Sequence, residues 1–128
     1  MRASGAGAAA LRHKVAFDRP VAVPDALGGK SVTWSEAHVT GAEIIFQKGG
    51  EAVQAARLAG RQVFKIKIRT CEDARAIGVG YRMRDVRRGL PSGVDGDTLP
   101  GTRYNVVDVD AITDRAWVWL QVEGVVVI

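Results

Sequence analysis

Cysteine is nearly absent. Cys71 stands alone, so no internal disulfide can form, and no Cys/His cluster has metal-ligand spacing; both facts fit a reducing compartment and give no zinc site. Long apolar runs are missing too. No 18-residue apolar span exists, and the small-residue stretch at residues 3–10, behind a single arginine, is too weakly hydrophobic for a signal peptide. The expectation is a soluble protein, not exported by that route and not a membrane protein. Residues 1–10, rich in Gly, Ala and Ser without periodicity, read as a flexible N-terminal arm.

Catalytic constellations are equally scarce. His13 and His38 have no motif company and read as surface or packing histidines. Gly78-Val79-Gly80 lacks the rest of a dinucleotide fingerprint and opens no βαβ unit, so it reads as a turn. Asp108, Asp110 and Asp114 suggest a metal at first sight, yet they lie on a strand running into a turn without calcium-loop spacing. Glu72 and Asp73 beside Cys71 disfavour a thiolate there. The sequence thus predicts no enzyme, no catalytic residue, no cofactor and no metal.

What is present is a strand with two unlike faces. In residues 62–70, Phe64, Ile66 and Ile68 alternate with Lys65, Lys67 and Arg69, so extended backbone turns three apolar side chains one way and three cations the other. The apolar face suits a half-buried strand. The cationic face is either solvated surface or the side that meets a phosphate backbone. Charge along the chain is uneven: residues 57–88 hold ten Lys/Arg against three Asp/Glu, while the remainder holds eight against eleven, so a middle of +7 lies between flanks summing to −3. That polarity fits nucleic acid on one side, or subunits stacked basic face to acidic face.

Around this strand the pattern is β-rich. Residues 11–19 read as a first strand ending at Pro20, followed by a loop at Pro24, Asp25, Gly28 and Gly29, where the glycines supply positive φ. Residues 30–39 and 40–47 read as extended, either as two strands or as one long kinked strand, with Val32 and Trp34 on one face and Gly41 as a bulge or bend. Residues 51–59, between glycines, are good helix formers but few, and read as a mobile loop with helical tendency or a short surface helix. After a turn or short helix at residues 72–76, strands follow at 81–86, 103–110 and 116–123, the first of these with Arg82 and Arg84 on one face. Residues 89–102, with Gly, Pro, Ser and Asp in quick succession, read as a long loop. A chain of 128 residues is enough for one core. The expected fold is all-β: a small antiparallel β-barrel of about six to seven strands with a long, partly helical loop, forming a single domain over residues 11–128.

The last strand carries two tryptophans. With Val118, Leu120 and Val122 facing the core, Trp117 and Trp119 lie on the other face with Gln121 and Glu123. They read as a partner surface or as rings covered within the subunit. The apolar tail Val125, Val126, Val127 and Ile128 either adds a strand to a neighbour or completes the barrel.

The order of these features resembles the head-closure family of tailed phages, the head-tail joining or stopper proteins. The likeness rests on Leu11-Arg12-His13-Lys14-Val15, on Asp25-Ala26-Leu27-Gly28-Gly29 leading to Val32-Thr33-Trp34, and on the helix-prone connection with Glu51 and Ala55. It continues through Ile68-Arg69, Tyr81-Arg82-Met83, Tyr104-Asn105-Val106 and Leu120-Gln121-Val122-Glu123. Residues 90–101, the tryptophan pair and the apolar C-terminus depart from the family pattern.

The resemblance implies a virion or phage-like particle, either a phage or a gene-transfer agent, with the protein made in the host bacterial cytoplasm. It implies a ring of copies on the portal axis, with an adaptor protein above, the tail terminator or tail tube below, and packaged double-stranded DNA held non-specifically inside. The family's channel-closing connection corresponds here to residues 47–61, with Gln47, Lys48, Gly49, Gly50, Glu51, Arg57, Gly60 and Arg61 as gate residues. Read from the residues themselves, Lys65, Lys67 and Arg69, beside that connection, are the DNA-facing cations, and Trp117, Trp119 and residues Val125 to Ile128, which depart from the family pattern, are the subunit or tail interface. A free-standing nucleic-acid-binding barrel using the same cationic face is the second reading.

Overall fold

The computed structural model describes residues 11–46, 51–87 and 102–125. In chain order the elements are β1 (His13–Pro24), β2 (Lys30–Phe46), α1 (Glu51–Leu58), β3 (Arg61–Arg69), α2 (Glu72–Arg75), β4 (Arg82–Asp85), β5 (Thr102–Asp110) and β6 (Trp117–Val125). The strands pair antiparallel in the order β1, β2, β3, β6, β5, β4, and β4 pairs back onto β1, so the sheet closes on itself. Closure leaves no free edge along the paired stretch.

Alternation decides what lies inside. From β3 come Ile66 and Ile68, and from β6 Val118, Leu120 and Val122, all on one side and all buried. Val15 and Phe17 of β1, Ala42 of β2, Met83 of β4 and Val106 of β5 complete the ring around them, and Ala74 and Ile77 join from α2 and the turn after it. Partly buried Phe64 and Tyr104 pack edge to face, with centroids 5.5 Å apart. Gly124 lets them do so: a Cβ there would come within 2.7 Å of the Tyr104 ring.

The first hairpin differs from the sequence expectation in two ways. β1 does not stop at Pro20 but runs on to Pro24, with Pro20 opposite Trp34. Beyond Asp18 the strand pairs, among the described residues, with β2 alone, so a proline without an N–H breaks no ladder on its other side there. β2 is one continuous strand of 17 residues, in line with the single-strand reading, but pairing is regular through Gly41. The irregularity instead falls between Phe17 and Asp18, which face His38 and Glu36, so that Ala37 is the extra residue. The reversal itself follows expectation. The Asp25 carboxylate accepts from the N–H groups of Leu27 and Gly29, both at 2.9 Å, and Gly28 takes φ +83°.

Residues 51–58 form a regular helix, and Gly60 turns the chain into β3 with φ +79°. At α2, Cys71 is the N-cap, its sulfur accepting from the Ala74 N–H at 3.4 Å. Residues 1–10, the long loop expected before β5, residues 47–50 and the tail residues Val126 to Ile128 lie outside the described residues.

Candidate functional site

On the outer face of the closed sheet, two features separate in sequence become one. Because β3 and β6 are paired, Lys67 stands opposite Trp119 and Arg69 opposite Trp117, with Lys65 opposite Gln121. The cations lean across onto the indoles. Lys65 Nζ lies 4.7 Å from the Trp119 ring centroid, Lys67 Nζ 4.3 Å from Trp117 and 5.4 Å from Trp119, and the Arg69 guanidinium 5.5 Å from Trp117. Cations over indole faces gain about 0.5–1 kcal/mol each where solvent reaches them. Lys67, between two rings, is only 6% exposed. The tryptophans themselves remain half-buried.

One strand further on the charge reverses. β5 sets Asp108 opposite Gln121 and Asp110 opposite Trp119, outside a bulge between Val106 and Asp108. Asp110 accepts from the N–H groups of Thr113 (3.0 Å) and Ile112 (3.1 Å), and Asp114 from that of Ala116 (2.9 Å) and the Trp119 indole (3.4 Å). The carboxylates thereby shape the β5–β6 turn. The backbone donors, Thr113 first for Asp110 and Ala116 first for Asp114, hold both groups below the usual carboxylate range. Between Lys65 and these acids runs a cleft of about 620 Å³, floored by Trp119 and Gln121. Among the described residues no group of His, Cys, Asp and Glu could hold a metal ion.

A second polar cluster was not legible as such in the sequence. Asp18, fully buried, accepts from Arg82 Nε at 2.8 Å through Oδ2 and from Arg84 through both oxygens, Nε at 2.7 Å and Nη2 at 3.0 Å. Arg84 Nη2 also reaches Glu36 at 2.5 Å, and Trp34 covers the Arg82 guanidinium at 4.6 Å. Two positive and two negative groups balance. Burial alone lowers the Arg84 pKa, but the hydrogen bonds and attraction of Asp18 and Glu36 outweigh it, and the net shift is upward. The network ties β1, β2 and β4 together where the bulge turns Asp18 and Glu36 toward the arginines.

A family model described as phage head completion protein matches residues 7–123. The chain belongs to that family. A head completion protein is a structural part of a virion or phage-like particle and not an enzyme. No curated protein matches the chain. Among solved structures it is similar to protein SF1141 from Shigella flexneri 2a, at 17% identity and TM-score 0.60, covering 93% of this chain and 96% of that one. It is also similar to a chain from the virion of a native gene transfer agent particle, at 18% identity and TM-score 0.55, covering 91% and 96%. At such identities the likeness is one of fold.

Within this head completion protein, the residues singled out from sequence fall in three places. Lys65, Lys67, Arg69, Trp117 and Trp119 share the outer face of β3 and β6. Arg57 is exposed in the last turn of α1, while Arg61, at the start of β3, pairs with Glu123 at 3.1 Å. Val125 ends β6 opposite Arg61. Gln47, Lys48, Gly49, Gly50, Val126, Val127 and Ile128 lie outside the described residues. The Asp18, Arg82, Arg84 and Glu36 network was missed because a charged residue at every second position on a strand has the signature of a solvated face; the pairing that buries it joins residues more than 60 apart.

Proposed function

We propose that this head completion protein is a head-tail connector of the stopper kind. Several copies form a ring below the portal and its adaptor protein, retain the packaged double-stranded DNA, and offer the surface on which the tail docks. The family match over residues 7–123 carries this reading. The closed sheet supports it as a rigid body from which one connection, between β2 and β3, carries a short helix with the exposed cation Arg57. Non-specific retention of duplex needs cations and bulk rather than base-reading geometry, and this connection supplies both. Lys65, Lys67 and Arg69 rest on indoles, an arrangement better suited to a packed protein contact than to mobile phosphates. The likeness to a chain of a gene transfer agent virion makes such a particle as fitting a home as a phage.

Electron microscopy of particles assembled without the protein tests the proposal. Tailless heads, many of them empty, beside free tails are expected. Normal tailed particles would overturn it.

One observation favours the second reading, a free-standing nucleic-acid-binding module. Aromatic platforms and cations, which sit on different strands, are brought onto one face. A gel shift with the purified protein separates the two: submicromolar binding at physiological salt favours the module, and its near-absence favours a part that meets DNA only when assembled.

A further inference from the structure

We propose that the outer face of β3, β6 and β5 pairs with the same face of a second copy of this chain, about a twofold axis running along β6. The register carries the proposal. One row across the three strands reads Lys65, Gln121, Asp108, and the next reads Lys67, Trp119, Asp110. Each row is a cation, a central residue and an acid. Rotation about the central column exchanges the outer ones, so Lys65 of one copy meets Asp108 of the other, while Lys67, buried between the indoles, stays with its own subunit. An axis across the strands would instead set cations on cations. Such self-complementarity is what a twofold interface requires.

Three further observations fit. Lys65 and Asp108 are exposed, and among the described residues neither is within salt-bridge distance of an opposite charge, although Lys65 attracts Asp110 of its own subunit and Asp108 accepts from the Val109 N–H at 3.0 Å. The N–H groups that hold Asp110 and Asp114 below the usual range keep both ionised at neutral pH. Trp117 and Trp119 lie along the seam, where interfaces concentrate aromatic residues. A nucleic-acid strand laid on the β3 cations meets the acidic column two strand spacings away, about 10 Å, and is repelled by it. The pairing is a property of the free protein and stands apart from the connector reading.

Sedimentation equilibrium of the purified full chain, at low and high salt, tests it. The expected result is a dimer that weakens as salt rises. Lys65→Glu and Asp108→Lys each loosen pairing by about tenfold or more, and the two reversals combined restore it, because each new glutamate then faces a new lysine. A monomer at every concentration, a larger ring indifferent to the reversals, or a double variant no tighter than the singles overturns the proposal. Should a reversal disturb folding, Gln121→Cys in a Cys71→Ser background supplies an independent measurement. Residue 121 lies beside the axis, so a bifunctional thiol cross-linker able to span about 10 Å, the spacing of sheets packed face to face, links two copies through it, and failure to cross-link also overturns the proposal.

Discussion

Asp18 is the fully buried acid at the centre of the charge network that joins β1 to β4. Its carboxylate is the counter-ion of two arginines that are themselves almost fully buried, Arg82 and Arg84, and no other acid in the cluster is buried with it, since the Glu36 side chain is 44% exposed. Breaking a buried pair from one side leaves a charge that water cannot reach, at a cost of about 3–5 kcal/mol. Asp18→Ala is therefore expected to cost that much in denaturant unfolding, while Glu36→Gln, at the wet end of the same network, costs less than about 1 kcal/mol. Equal losses from the two substitutions would show that the network acts as one unit rather than through Asp18. Residue-level reading of the sequence missed this site for a physical reason. Asp18 in β1 and Arg82 and Arg84 in β4 each alternate with apolar neighbours as solvated charges do, and only the pairing of β1 with β4 buries them.

Among the elements, α1 is the one whose removal is expected to leave the fold intact. The helix spans eight residues and follows β2 in the connection to β3, and among the described side chains the core is supplied by the strands together with Ala74 and Ile77. Lengthening or shortening a surface connection changes closure entropy only slowly. Replacing residues 51–59 by a short Gly/Ser turn is expected to leave the circular dichroism spectrum β-rich and the thermal transition cooperative, while particles built with the variant lose packaged DNA; full DNA content in those particles would remove the gate from α1. The strands were largely legible. Strict alternation in residues 62–70 fixed both faces of β3, because one face is apolar at every second position and a slip of one residue would expose it. Strand ends were less so: β1 continues through Pro20, where among the described residues β4 no longer pairs with it, a fact of topology that no local signal carries.

At the scale of the whole molecule, the question is whether the tryptophan face holds the subunit together or joins it to something else. Trp117 and Trp119 point away from Val118, Leu120 and Val122, which line the core, and their neighbours are Lys65, Lys67 and Arg69. Strand assignment alone predicted the outward direction of the rings but could not place the cations beside them, since that follows from the pairing of β3 with β6. Replacing both rings by serine removes the cation contacts, each worth about 0.5–1 kcal/mol, and leaves the interior side chains in place. The double variant Trp117→Ser with Trp119→Ser is thus expected to melt cooperatively about 10 °C below the parent, yet to fail to complete heads when supplied to particles lacking the protein. Loss of the cooperative transition would assign the rings to the stability of the subunit. A stable variant that restores tailed particles would leave the face without a role in assembly, because removing two large aromatics from the centre of a working interface is the change such an interface tolerates least.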